Sequence, residues 1–273
     1  MQHWICSTCG SQFAASESPP PDCPICLDQR QYVGHNGQEW TTQEQLRQRG
    51  FHNEFKKHEA GLTGTGTTPS FAIGQRALLL QTPHGNVLWD CISLLDDETR
   101  ATVNKLGGIQ AIAISHPHYY SSMVDWANAF DAPIYLHDAD RQWVMRPDGR
   151  IVYWSGETHP LWEGVTLIRL GGHFAGGTVL HQQHSEADGK GLLLTGDIIQ
   201  VVADRRWVSF MYSYPNLIPL PASEVRRMRD TVARYDFERL YGAWFATIVE
   251  SDAKNAVMRS AERYIRALER VLS

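Results

Sequence analysis

The chain has 273 residues, 42% of them hydrophobic and 20% charged, with a formal net charge of -5. That length holds one large domain plus a small appendage and buries a sizeable core, and the composition is that of a soluble globular protein. No basic excess is present to neutralise phosphates and no apolar stretch approaches the ~20 residues of a bilayer span, so neither nucleic acid nor membrane is an expected partner.

The chain opens on Met1-Gln2-His3-Trp4-Ile5-Cys6, which carries neither the charged nor the apolar part of a secretory signal, and a cytoplasmic location is expected. Four of the five cysteines then fall into two pairs, Cys6/Cys9 and Cys23/Cys26, with thirteen residues between Cys9 and Cys23. A two-residue gap lets both thiolates of a pair reach one ion, Gly10 eases the first turn, and four thiolates complete a tetrahedral site. In a reducing compartment metal explains these cysteines better than disulfides do. The pattern resembles a short rubredoxin-type zinc ribbon over residues 1–43, held folded by zinc (iron is the alternative) and able to offer a contact surface to another protein. Cys91 stands alone and reads as a small buried apolar side chain.

Residues 44–70 read as a connector. Glu39 to Glu59 is polar and helix-prone, with a helix start at Thr41-Thr42-Gln43-Glu44, and the Gly/Thr run from Gly61 to Pro69 reads as a flexible lead-in. From Phe71 strands and helices alternate. The pattern predicts a hairpin of Ala77–Gln81 with Asn86–Trp89, a helix over Leu94–Leu106, and an apolar strand from Ile109 ending at His116. Helices are predicted over Ser121–Phe130 and Asp138–Met145, with a short strand Pro133–Leu136 between them. Strands follow at Val165–Leu170, Gly177–His184 and Gly191–Thr195, the last two joined at Asp188-Gly189, and helices at Ser223–Tyr235 and Ala253–Leu272. The class is α/β, with layered sheets covered by helices.

Three fragments carry the chemistry: Ser115-His116-Pro117-His118, Gly171-Gly172-His173 and Thr195-Gly196-Asp197. The first and third each follow an apolar run, so imidazole and carboxylate are delivered at strand ends, where they suit a borderline divalent ion. Their order and spacing resemble the metallo-β-lactamase-fold superfamily, with its His-x-His-x-Asp-His motif, later Gly-His and later Asp. The resemblance covers 71–273 and implies an αββα sandwich.

It further implies that His116, His118 and His173 hold one metal, zinc or iron, that Asp197 matches the metal-bridging carboxylate, and that Asp90 orients a ligand histidine from behind. The second metal position is depleted, since Tyr120 and Ser121 stand where the motif has Asp and His, and Ala243-Trp244-Phe245 follows Gly242 where a last His is expected. A single-metal site is the simpler reading. Three histidines leave one position open, the pattern of a catalytic zinc, where a water is acidified towards neutrality. Asp197 would bind the ion or take a proton, and Tyr119 or Tyr120 would donate to a developing oxyanion. The expected activity is hydrolysis of a small ester, thioester, lactone or related substrate. The alternatives are a mononuclear non-haem iron oxidoreductase of the same fold, built on two histidines and Asp197, and a non-catalytic ligand-binding descendant.

Gly176 and Gly177 would admit a close approach by substrate or backbone. Trp207, Phe210, Tyr212 and Tyr214 read as core, with a pocket wall as the alternative, and His137 reads as a helix cap.

Overall fold

The computed structural model describes residues 1–269. In the N-terminal module Ile5–Cys6 (β1) pairs antiparallel with Trp40–Thr41 (β2), and Pro24–Leu27 forms one helical turn (α1) behind Cys23. Pro24 sits in its first turn, where a missing N–H costs nothing. Gly10 closes the first knuckle at φ +82, donating its N–H to the Cys6 carbonyl at 2.8 Å. A Cβ at Gly10 would also lie 2.5 Å from Ser93 Oγ of the main domain.

The connector expected over 44–70 is only partly one. Gln43–Gln48 is a helix (α2), with the Thr42 hydroxyl accepting from Gln45 N at 3.2 Å as the N-cap. Beyond it the structure corrects the reading: His52–Glu59 (β3) and Leu62–Thr68 (β4) are the first two strands of the larger sheet. The polar residues of β3 belong to an edge strand, which natural sheets keep charged. The glycines of β4 are not flexible joints. Rings lie directly on the strand there, and a Cβ would stand 2.7 Å from His58 Nε2 at Gly64 and 2.7 Å from the Phe245 ring at Gly66.

The larger sheet continues through Arg76–Thr82 (β5), Gly85–Trp89 (β6), Ala111–Ala113 (β7), Ile134–His137 (β8) and Ile151–Trp154 (β9), in the order β3-β4-β5-β6-β7-β8-β9. Pairing is antiparallel up to β6 and parallel from β6 to β9. Asp97–Lys105 (α3), capped by Asp96 accepting from Thr99 N at 2.7 Å, and Met123–Phe130 (α4) cover its outer face. Asp138–Met145 is not an α-helix but a 3-10 segment, Asp138–Trp143.

The second sheet runs β10-β11-β12-β13-β18-β19. Its first four strands are Thr158–Trp162 (β10), Val165–Arg169 (β11), Thr178–Gln182 (β12) and Leu192–Gly196 (β13). Two small ribbons follow, Gln200–Val201 (β14) with Val208–Ser209 (β15), and Met211–Ser213 (β16) with Ile218–Pro219 (β17). Then come Ala222–Val232 (α5), Arg239–Gly242 (β18, parallel to β13), Ile248–Val249 (β19) and Ala253–Glu269 (α6). Residues 270–272 of the expected last helix lie outside the described residues. The strands β9 and β10 were not expected from sequence.

Both faces of the central strands are buried, which is why they read as unbroken apolar runs. On β5, Ala77 and Leu79 pack towards α3 and α4 while Leu78 and Leu80 meet the second sheet. On β13, Leu193 packs under α5 and α6 while Leu192 and Leu194 face the first sheet. Alternation with period two thus generates four layers, the αββα sandwich that the resemblance implied. Among the described residues no helix is long and apolar enough to cross a membrane.

Candidate metal centres

All four cysteines of the pairs are buried and none is disulfide-bonded. Cys6 Sγ lies 3.6 Å from Cys26 Sγ and Cys9 Sγ 3.6 Å from Cys23 Sγ, with all four sulfurs within 4.8 Å of one another. A tetrahedron of metal–sulfur bonds near 2.3 Å has an edge of about 3.8 Å, whereas a disulfide needs about 2.05 Å, so the spacing fits an ion and not bridges. Neighbouring thiols and burial hold Cys9 well above the ordinary thiol range, so a cation is what would let all four ionise together. Gln38 Nε2 adds a donor to Cys6 Sγ at 3.2 Å.

The histidine cluster forms where strand ends meet. His116 leaves β7 in an extended conformation and His118 sits on the 3-10 turn Pro117–Tyr119. His173 follows two glycines with positive φ in the loop after β11, and Asp197 follows Gly196, φ +55, at the end of β13. A Cβ on Gly196 would be 2.6 Å from Ser115 Oγ, so only glycine lets these two strand ends approach. The three imidazole centroids are 4.9 to 5.1 Å apart with their planes 67 to 76° from one another. His118 Nδ1 is 3.2 Å from His173 Nε2, and His116 Nε2 is 3.3 Å from Asp197 Oδ1.

The donors fit a cation. His173 Nδ1 donates to the Tyr212 carbonyl at 2.7 Å, which leaves its Nε2 bare towards the cluster. His116 Nδ1 is turned to Ser115 Oγ at 2.9 Å, and both His116 Nε2 and Asp197 Oδ1 are buried without a hydrogen-bond partner. Exposure is 1% for His116, 3% for His118, 1% for His173 and 5% for Asp197. Buried polar atoms without partners are costly, and a set of them aimed at one point is explained by an ion there. Burial, aided by the other imidazoles and Arg30, holds His116 and His118 well below the usual histidine range, so they stay neutral as ligands must be. Burial also brings His173 down to about 4 and pushes Asp197 up to about 7.

Asp90 does not touch an imidazole. Its Oδ1 accepts from Ser115 N at 2.8 Å, and Ser115 in turn meets His116, so its hold on the ligand is indirect. The two tyrosines part company. Tyr119 lies with its ring 4.4 Å from the His116 ring, its hydroxyl buried near Asp197 without a regular hydrogen bond. Tyr120, expected beside it, is carried by the 3-10 turn into the core under α4, among Met123, Val124 and Trp143. Ser121 is spent on the backbone, its hydroxyl donating to the Cys91 carbonyl at 3.2 Å and accepting from Gln75 Nε2 at 3.1 Å.

Gly176 and Gly177 admit no ligand. A Cβ would strike Asp140 at Gly176 and the Gly171 carbonyl at Gly177, so the close approach is made by the chain itself. Of the four aromatics, Phe210 is core and Trp207 stacks outward under Arg263, whereas the Tyr214 ring lies 5.6 Å from His173 and its hydroxyl donates to the Asp197 carbonyl at 2.7 Å. His137 accepts from Ala139 N at 3.2 Å, the cap it was read as.

Sequence reasoning missed Arg30. Its guanidinium lies 4.0 Å from the Phe174 ring centroid and Nη1 donates to the His173 carbonyl at 3.3 Å, while Asp28 takes Nε at 2.6 Å and Nη2 at 2.9 Å. No spacing in the chain announces this contact, because it arises from docking of the N-terminal module.

Four layers of this order, with buried histidines at the strand ends, define the metallo-β-lactamase fold, here joined to a four-cysteine module. Solved structures agree. The DIM-1 metallo-β-lactamase matches with a TM-score of 0.59 at 13% identity, over 79% of this chain and 98% of that one. A metallo-β-lactamase from Cronobacter sakazakii (Enterobacter sakazakii) with a HARLDQ motif matches with a TM-score of 0.52 at 18% identity, over 79% and 92%. No family model matches the sequence. The chain belongs to one family with the uncharacterized protein YmaE of Bacillus subtilis (strain 168), with which it is 55% identical over 269 residues, 98% of this chain and 97% of the relative.

Proposed function

We propose that the protein is a metal-dependent hydrolase of a small ester, thioester, lactone or related substrate, with one ion held by His116, His118 and His173. The observation that carries this reading is the convergence of His116 Nε2 and Asp197 Oδ1, both buried without a hydrogen-bond partner, on the buried pair His173 Nε2 and His118 Nδ1, 3.2 Å apart. The structural neighbours named as metallo-β-lactamases favour hydrolysis over other metal chemistry. Zinc, when bound, would polarise a carbonyl oxygen and bring a water towards a pKa of about 7.

The chain's own residues do the rest. Tyr214 fixes the backbone of Asp197, and Asp197 either joins the ligand set or accepts the proton released at the open position. Tyr119, its hydroxyl without a regular partner, is the donor for a developing oxyanion. Burial removes competing water, which strengthens each of these interactions. The single-ion reading draws support from Ser121, already engaged by Cys91 and Gln75, and from Ala243, which has no donor to give.

The test is turnover of an ester, thioester and lactone panel by the holoprotein, after metal removal and after zinc restoration, with elemental analysis. Hydrolysis that vanishes and returns with zinc is expected. Hydrolysis unaffected by complete metal removal overturns the reading, and iron-dependent oxygen uptake replaces it with oxidation.

A further inference from the structure

The three histidines are almost completely shielded from solvent, and the group lying over their loop comes from the other end of the chain. Arg30 follows the second cysteine knuckle, stacks on Phe174, the residue after His173, and bonds the His173 carbonyl, with Asp28 fixing the guanidinium from behind.

The segment carrying Arg30 is tied to the β16–β17 ribbon. Ser213 Oγ donates to the Arg30 carbonyl at 3.0 Å, Asn216 Nδ2 donates to the carbonyls of Gln29 at 3.0 Å and Gln31 at 3.1 Å, and Gln29 Nε2 donates to the Tyr212 hydroxyl at 2.6 Å. Tyr212 also supplies the carbonyl that orients His173. The ribbon that aims a ligand histidine therefore also fastens the cover.

The opposite edge of the module is fixed as well. Ser93 Oγ donates to the Gly10 carbonyl at 2.8 Å, Gln12 N donates to the Ser121 carbonyl at 3.0 Å, and Ala14 N donates to the Met145 carbonyl at 3.1 Å. Apolar contacts join these ties, with Ile73, Trp143 and Met145 packed against the cysteine cluster and Ile5 against Leu94. The Arg30 segment itself is held by hydrogen bonds to its main-chain carbonyls and by stacking on Phe174, and such contacts open more readily than an apolar core does.

We infer that the four-cysteine module is the lid of the histidine site, with Arg30 as its latch, and that the ion held by the cysteines keeps the lid folded and so governs access to the histidines. The inside of the module is its four cysteines with Phe13, Ile25 and the partly buried Val33 and Trp40, so without an ion it has little core of its own to keep its shape. Passage of a metal or substrate to the histidines requires the Arg30 segment to lift. This inference rests on the reading of the histidines as a metal site and not on hydrolysis.

The test follows cobalt(II) in the full-length protein, where thiolate charge-transfer bands report the cysteine site and weaker d–d bands report the nitrogen and oxygen ligands. Chelator is added and loss from the histidine site is timed. Arg30→Ala, on the module, and Asn216→Ala, on the facing ribbon, are each expected to speed that loss about tenfold or more, the effect of removing a hydrogen-bonded contact of the closed state. The thiolate bands should be unchanged in both variants, and Arg205→Ala, exposed and remote, should match wild type. Unchanged rates in both Arg30→Ala and Asn216→Ala overturn the lid alone. Wild-type protein that takes up cobalt only at the cysteines overturns the metal reading, and the lid with it.

Discussion

The two donor clusters differ in how the chain builds them. The cysteine cluster is local: four sulfurs from residues 6 to 26, each facing another at tetrahedral spacing, make a closed coordination shell. The histidine cluster gathers donors from residues 116 to 197, at the ends of strands in two different sheets, and leaves an unpaired carboxylate oxygen and an unpaired tyrosine hydroxyl beside the ring nitrogens. A shell filled by four like ligands holds structure together, whereas a shell short of one ligand with polar groups waiting around it is equipped for chemistry. The fold places the first in the N-terminal module and the second where the carboxyl ends of β7 and β13 meet the loop after β11.

Breaking each shell should therefore produce different failures. Cys23→Ser is expected to have the largest effect, because structural zinc contributes on the order of 10 kcal/mol to the folding of such a module. Amide spectra should show the first forty residues unfolded and the sandwich retained, and a module that stays folded without its ion contradicts the structural role. His173→Ala should leave the module intact and reduce turnover roughly a thousandfold, since it removes several kcal/mol of carbonyl polarisation. Turnover within a few-fold of wild type would detach the cluster from catalysis.

Finer changes sharpen the contrast. Tyr119→Phe should lower kcat by about a hundredfold with KM nearly unchanged, as loss of an oxyanion donor does, whereas Tyr120→Phe should leave kcat alone. Equal effects of the two would contradict the orientation set by the 3-10 turn. Ser115→Ala, which breaks the link from Asp90 to His116, should weaken metal affinity at the histidines by roughly tenfold and leave the cysteine site untouched, as competition with a chelator would show. Smallest of all, Thr42→Ala should cost ~1 kcal/mol of stability through its lost N-cap, with neither ion affected, as denaturant unfolding of the holoprotein would report.

Legibility in the sequence follows the same divide. The cysteine site was readable because two-residue gaps are a local geometric statement. The histidines were readable because apolar strands end in a motif with a known order; runs such as Leu192-Leu193-Leu194 pointed to covered sheets, and the four-layer order came from the resemblance. What stayed hidden depends on partners far away in the chain. The choice of Tyr119 over Tyr120 turns on one 3-10 turn. The Gly/Thr run of β4 imitates a flexible linker because the rings of His58 and Phe245, which fill the missing side-chain space, come from β3 and from beyond β18. Arg30 reaches His173 across the docked module, and short-range pattern carries no trace of such a contact.

Gly10 joins the two halves of the molecule in a single residue. Its backbone must take a left-handed turn for the thiolates to converge, and its bare Cα must admit Ser93 of the sandwich. Two independent filters thus act on one position, one from coordination geometry and one from docking. Any side chain there fails both at once. A ribbon used as an interchangeable bead would have to satisfy only the first, so this glycine marks the module as tailored to the body it sits on.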